Sequence, residues 1–515
     1  MDRATGSLET VMLDTAEGKL AGLRKDGIAA FKGIPFAQPP IGPLRWQAPR
    51  PAPAWSGVRD ATRFGPICPQ GATQAEMLMG STPGEQSEDC LYLNVWTPAC
   101  DDAKRPVMVW IHGGAFVIGA GSQGLYSGRH LAALDCVIVT VNYRLGAFGF
   151  LALADATDGA APGSGTEGIA DQILALQWVK RNIARFGGDP RNVTLFGESA
   201  GGMSVAALMA SPAARGLFHK AILQSGAGHV GHERDRAARA AKALLSTMGL
   251  SPSELEKARE APMAAVLKAQ IALLADARDG RDTHRLSGLP FQPAIDGALL
   301  PSRPIEAIRA GSAKGIPVLA GTTREEWKLF TAADPRLRLM SRASFEERVT
   351  RLAGEHAPEM LAAYGEGSTF DRFNALMTDK AFTLPAVRLL EAQGAQAPAY
   401  AYRFDWRSPL LGGLMGSCHA LELGFVFGTY NAKLASAFFG MGSAADALSR
   451  AMMECWVAFA RSGSPASASS GPWPRYDGEA RRVMIFGDGT PHVVERPNES
   501  RRAAWDPIPA RRLGP

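Results

Sequence analysis

The stretch Gly197-Glu198-Ser199-Ala200-Gly201 constrains this chain more than any other, because of what flanks it. Asn192 to Phe196 reads as a short buried strand. From Ala200 to Met209 the residues are small or helix-forming, until Ser211-Pro212 stops the run. A strand, a sharp turn and a helix with serine at the apex lift that hydroxyl clear of the backbone, above a helix N-terminus. The flanking glycines are needed where the turn leaves no room for side chains. Glycine supplies 56 of 515 residues, so composition alone gives roughly 0.4 matches to Gly-x-Ser-x-Gly in such a chain. The strand-turn-helix context, and the partners below, make the pattern specific.

Other segments place that turn in a sheet. Pro106 to His112 and Cys136 to Asn142 are continuous apolar runs, which suits parallel strands covered on both faces. Ile173, Leu176, Val179, Ile183 and Phe186 fall at helical spacing, and Gly187-Gly188 ends that helix. Further strands are expected at Ala221 to Gln224, Val318 to Ala320 and Ala399 to Phe404. Strands alternating with helices predict an α/β fold with right-handed crossovers. Residues 233–285 and 333–395, rich in Ala, Leu, Arg and Glu, are expected as helical insertions over the sheet rather than separate domains. The whole of 1–515 is thus expected as one catalytic domain.

A serine hydroxyl is a poor nucleophile at neutral pH and needs a base, itself held by a carboxylate. It also needs N–H donors where an oxyanion forms. His112-Gly113-Gly114-Ala115-Phe116 follows a buried strand, so the amides of Gly113, Gly114 and Ala200 are candidate donors. His419 follows a strand and a glycine-containing loop, which puts it in reach of the sheet's C-terminal rim. His112 is expected to be structural, and His229 and His232 to lie in a loop with no catalytic part. Gly321-Thr322-Thr323-Arg324-Glu325-Glu326 also follows a strand and offers the acid. The order Ser, Glu, His is that of α/β-hydrolases.

These motifs resemble the type B carboxylesterase family, which takes in cholinesterases and bacterial para-nitrobenzyl esterases. The resemblance runs from about Gly18 to Trp505. It rests also on Phe31 to Ala37, Ser87 to Asn94, Asn142 to Gly146 and the stretch Gly416 to Gly428. It implies an α/β-hydrolase fold, with a mostly parallel sheet flanked by helices. It implies nucleophile Ser199, acid Glu326 and base His419, with Glu198 tuning water and the field beside the serine. It implies structural ion pairs of Arg45 with Glu88 and Arg144 with Asp171, and a family cysteine pair, Cys68 with Cys90. Trp327 stands where the family has glycine, so altered loop angles are expected there. Gly71 to Gln86 carries Met77-Leu78-Met79 and no aromatic residue, so neutral, apolar esters are expected to be preferred over choline esters. The alternatives are a carbamate or aryl-amide hydrolase with the same machinery, and a non-catalytic binding protein. Members of the last kind lose triad residues, and all three are present here.

The bulk numbers exclude other classes. A net charge of +5 is small for the length, and no basic stripe is interleaved with aromatics, which argues against nucleic acid as a partner. No run of about 18 apolar residues occurs, and the first residues lack an apolar core, so neither a membrane span nor a signal peptide is expected. The expected location is cytoplasmic. Six cysteines without Cys-x-x-Cys or Cys/His spacing argue against zinc. No metal or organic cofactor is expected, and the partner is a small-molecule ester. Composition is neutral between a monomer and a dimer.

Overall fold

The computed structural model describes residues 8–71, 84–159, 161–278, 286, 288–432 and 435–513. Thirteen strands form one sheet. They are β1 (Glu9–Asp14), β2 (Lys19–Lys25), β3 (Ile28–Pro35), β4 (Val58–Asp60), β5 (Tyr92–Thr97), β6 (Arg105–Ile111), β7 (Val137–Val141), β8 (Gly188–Glu198), β9 (Lys220–Gln224), β10 (Val318–Thr323), β11 (Ala399–Phe404), β12 (Val483–Phe486) and β13 (His492–Val494). Their order is β1-β2-β3-β5-β7-β6-β8-β9-β10-β11-β12-β13, with β4 beside β2. From β7 to β12 every pairing is parallel, and antiparallel strands close both ends. This is the mostly parallel, helix-flanked sheet of an α/β-hydrolase.

The continuous apolar runs are explained by burial on both faces. In β6, Val107, Val109 and Ile111 enter one core cluster while Met108 and Trp110 enter the other. Successive side chains point to opposite faces, so a strand with helices on both sides has no polar alternation to show. The first cluster also takes residues of the helices Glu167–Asn182 and Ala200–Ala210. The second takes the helix Ser443–Ser462 and the segment Leu421 to Phe427. Helices occupy both stretches: Arg234–Thr247, Leu255–Glu260 and Met263–Arg278 in the first, and five α-helical segments between Pro335 and Gly394 with short 3-10 and π turns in the second. Residues 279–285, the end of the first insertion, lie outside the described residues, as do Met77-Leu78-Met79.

Both implied ion pairs form. Arg144 Nη2 and Nε bond the two Asp171 oxygens at 2.7 and 2.8 Å, fully buried. Arg45 Nε bonds Glu88 at 2.7 Å, and its Nη1 donates to the carbonyls of Arg259 and Ala261. Removing one partner of such a pair leaves a buried charge uncompensated, at about 3–5 kcal/mol, so these residues serve the scaffold. Cys68 and Cys90 are both buried thiols, and the hydrogen bond between them raises the Cys90 thiol further than burial does. Among the described residues no helix is long and apolar enough to cross a membrane.

Candidate active site

The strand order brings the sequence-separated motifs together. β6, β8, β9 and β10 are parallel neighbours, so the residues that follow them emerge side by side at the sheet's C-terminal edge. Gly113 and Gly114 follow β6, Ser199 follows β8, Ser225 follows β9, and Glu326 lies three residues past β10. His419 comes from the loop after β11. That loop is tied to the acid's loop by two backbone bonds, from Glu325 N–H to the Ser417 carbonyl at 2.9 Å and from His419 N–H to the Glu326 carbonyl at 3.2 Å.

Ser199 has φ 55° and ψ −124°, a strained conformation for a non-glycine residue. The turn is that sharp because the following helix packs directly on β6. A Cβ on Gly201 would stand 2.0 Å from the Ile111 carbonyl oxygen, so only glycine fits there. The helix begins at Ala200, and the amides of Gly113, Gly114 and Ala200 donate to no acceptor among the described residues. A Cβ on Gly113 would stand 3.0 Å from the Ser199 Cβ, so this strip of backbone runs alongside the serine.

His419 is buried. Its Nδ1 is 2.6 Å from Glu326 Oε2. The other Glu326 oxygen accepts from Ser225 Oγ at 2.6 Å and from the Thr323 amide at 2.7 Å. The carboxylate is thus held by three donors when Nδ1 carries its proton. Glu325 points elsewhere: it bonds Lys328 at 2.6 Å and accepts from the Ser417 amide at 3.0 Å. On the imidazole's far side, Glu198 Oε1 stands 3.0 Å from Nε2 but out of line for a hydrogen bond. Ser199 Oγ has no hydrogen-bond partner among the described residues. Unliganded enzymes often hold the catalytic serine–histidine contact loosely.

Three buried carboxyls surround this histidine. Burial alone would push His419 down, but the charge of Glu198 and the bond and charge of Glu326 outweigh it and hold the imidazole up at about 9. Burial pushes the Glu198 carboxyl up, against the pull of His419. Each group's charge therefore favours the ionised form of the other. Glu422 is also raised, to about 7, by burial first and by Glu326 second, and it accepts from Gln224 at 3.1 Å. The other buried histidines are neutral: burial holds His112 at about 4, and it stacks on Tyr143 with Nδ1 2.8 Å from the Gly113 carbonyl. His229 and His232 are held at about 3 and line no part of the cavity at Ser199.

That cavity measures about 520 Å³ and is lined by Gly113, Gly114, Glu198, Ser199, Ala200 and His419 on its reactive side. The rest is mainly apolar: Ile118, Met203, Leu274, Leu289, Trp327, Phe330, Phe382 and Leu423. Phe382 and Phe330 lie 4.7 and 5.4 Å from the His419 ring. Trp327 keeps ordinary helical angles, φ −69° and ψ −15°, so replacing glycine there does not bend the acid's loop. The indole instead adds a wall to the cavity.

Fold and cavity together define a hydrolase of the α/β class that works through a serine hydroxyl. The chain belongs to the carboxylesterase family, whose family model matches residues 9–505. It is 41% identical over 476 residues to the para-nitrobenzyl esterase of Bacillus subtilis (strain 168), covering 92% of this chain and 94% of that one. It is 35% identical over 488 residues to phenmedipham hydrolase of Pseudarthrobacter oxydans, again covering 92% and 94%. Among solved structures, the Geobacillus stearothermophilus carboxylesterase Est55 at pH 6.2 superposes with a TM-score of 0.86 at 38% identity, covering 96% of this chain and all of that one. The chain is accordingly a carboxylic ester hydrolase.

Ser225, Thr323 and Phe382 were not marked as site residues by the sequence. Ser225 follows β9, Thr323 ends β10 and Phe382 lies on the π turn Asp379–Thr383, and no spacing rule signals that they meet at one site.

Proposed function

We propose that this chain hydrolyses neutral, apolar carboxylic esters through Ser199, His419 and Glu326, and that the whole length acts as one catalytic unit in the cytoplasm. Neutral His419 takes the Ser199 proton as Oγ attacks the ester carbonyl. Glu326 fixes the tautomer by accepting from Nδ1 and stabilises the imidazolium that forms. The amides of Gly113, Gly114 and Ala200 receive the tetrahedral oxyanion; they are fixed in place and need no reorganisation when charge develops. His419 Nε2 then protonates the leaving alcohol. Water, activated by the same histidine, cleaves the acyl-enzyme. The observation that carries this reading is the chain of contacts Ser225–Glu326–His419 ending in a cavity that also holds Ser199 and the three unused amides. A panel of para-nitrophenyl acyl esters tests it: turnover with burst release of one nitrophenolate per chain is expected, and no burst or turnover on any member would overturn it.

The same groups would open an aryl carbamate, a reading favoured by the likeness to a phenmedipham hydrolase. Carbamoyl-enzymes hydrolyse more slowly, so turnover below that for the matched ester is expected.

Glu198 sets the working pH. Its charge stabilises the His419 imidazolium, and only neutral imidazole is a base, so the acid limb of kcat/KM reports that titration. Glu198→Gln removes the charge, lowers the histidine pKa and is expected to move the acid limb to lower pH by about one unit. A stationary limb, or a move to higher pH, would show that Glu198 does not act on His419.

Choline esters are expected to be poor substrates. The cationic alcohol must shed its water in a mainly apolar cavity. Against 3,3-dimethylbutyl butyrate, its uncharged isostere, butyrylcholine is expected to have kcat/KM lower by about tenfold, because the cation loses its hydration on entry. Equal values would contradict this.

A further inference from the structure

A second cavity, of about 710 Å³, lies behind the aromatic wall of the first. Trp327 and Phe330 line both, so the partition is one side chain thick. The two cavities differ in charge. The second is lined by Arg348, Arg351, Lys380 and Arg512, and by no acidic side chain among the described residues. Apart from Thr331, its remaining lining, including Leu337, Leu352, Phe373 and Met377, is apolar. Arg351 is partly offset by Glu347 at 2.7 Å. Arg348 sits over the Phe373 ring, 5.5 Å from its centroid, and makes no ion pair among the described residues.

The π turn Asp379–Thr383 joins the two spaces. Phe382 on that turn packs on His419, while Lys380, two residues earlier, lines the basic cavity. A π turn widens the helix by one residue and is often kept where it re-aims a side chain. Here it sends one residue to each cavity. Burial lowers the Lys380 ammonium from its ordinary value.

We propose that the second cavity is a substrate subsite for an anionic head group, a carboxylate or sulfonate, carried at the far end of an ester whose reacting part occupies the apolar cavity at Ser199. The preferred substrates are then amphipathic: neutral and apolar around the ester bond, negative beyond Trp327 and Phe330. The inference rests on the esterase reading above. It depends on Trp327 and Phe330, which form the shared wall.

Paired substrates test it. On the acyl side the pair is mono-para-nitrophenyl suberate and its methyl ester; on the alcohol side it is 3-(4-butyryloxyphenyl)propionate and its methyl ester. The readout is kcat/KM for the charged member over the neutral one, a ratio in which general losses of folding or chemistry cancel. In at least one series this ratio is expected to fall by about tenfold in the double variant Arg348→Met, Lys380→Met. In the wild-type protein the same ratio is expected to fall as sodium chloride is raised, because salt screens partly exposed charges. A ratio that responds to neither change in either series overturns the subsite. The neutral members report on the proposed chemistry alone, so failure of the esterase reading would appear as loss of their turnover.

Discussion

Replacing Ser199 by alanine is expected to lower kcat on para-nitrophenyl butyrate by about 10⁶-fold while leaving the fold intact. When a triad nucleophile is removed, the oxyanion donors and substrate binding still act but no acyl-enzyme forms, and losses of that order follow. The strained turn is held by glycine packing against the Ile111 carbonyl, and the serine hydroxyl makes no bond that supports it, so the variant should unfold at nearly the wild-type temperature. An organophosphate should label Ser199 and no other residue. Label on Ser225, whose hydroxyl is engaged with Glu326 at 2.6 Å, or retained activity in Ser199→Ala, would remove Ser199 from the proposed role.

The second large effect distinguishes two adjacent glutamates. Glu326→Gln is expected to lower kcat by about 10⁴-fold, and the geometry says how. Ser225 Oγ and the Thr323 amide both donate to Oε1, so the amide oxygen of glutamine would take that place. Its NH₂ group would then face His419 Nδ1, which must become an acceptor. The imidazole proton would move to Nε2, the nitrogen that has to accept from the serine. Size and hydrogen bonding are preserved while the wrong tautomer is enforced. Glu325→Gln removes a partly exposed ion pair with Lys328, worth about 1 kcal/mol, and should cost kcat about tenfold at most. The reverse ranking in steady-state kinetics would move the acid to Glu325.

The sequence made much of this legible. The strand Asn192 to Phe196, the serine turn and the helix after it could be read locally, because apolar runs, glycine pairs and the Ser-Pro stop all act within a few residues. The paired glycines after β6 were visible for the same reason. What could not be read arises from contacts across the chain. Ser225 and Glu326 are 101 residues apart, and only the adjacency of β9 and β10 brings them together. Glu198 and His419 are likewise far apart in sequence and meet only in the folded chain. At Trp327 the sequence pointed to altered loop angles, whereas the residue adopts a helical conformation that any side chain tolerates. Its effect is on the shape of the cavity, which no local pattern encodes.

The edge of the sheet carries the serine, the acid and the amides, while most of the apolar cavity wall comes from elsewhere. Leu274 belongs to the helix Met263–Arg278, Phe330 to the short helix after the acid's loop, and Phe382 to the π turn. Rate and selectivity are therefore inherited from different parts of the chain. Substitutions in the insertions can retune which esters enter without disturbing the bond-breaking groups. Lineages carrying this scaffold can thus change diet by drift in the walls, and laboratory selection for a new ester should collect its first gains there rather than along β6, β8 or β10.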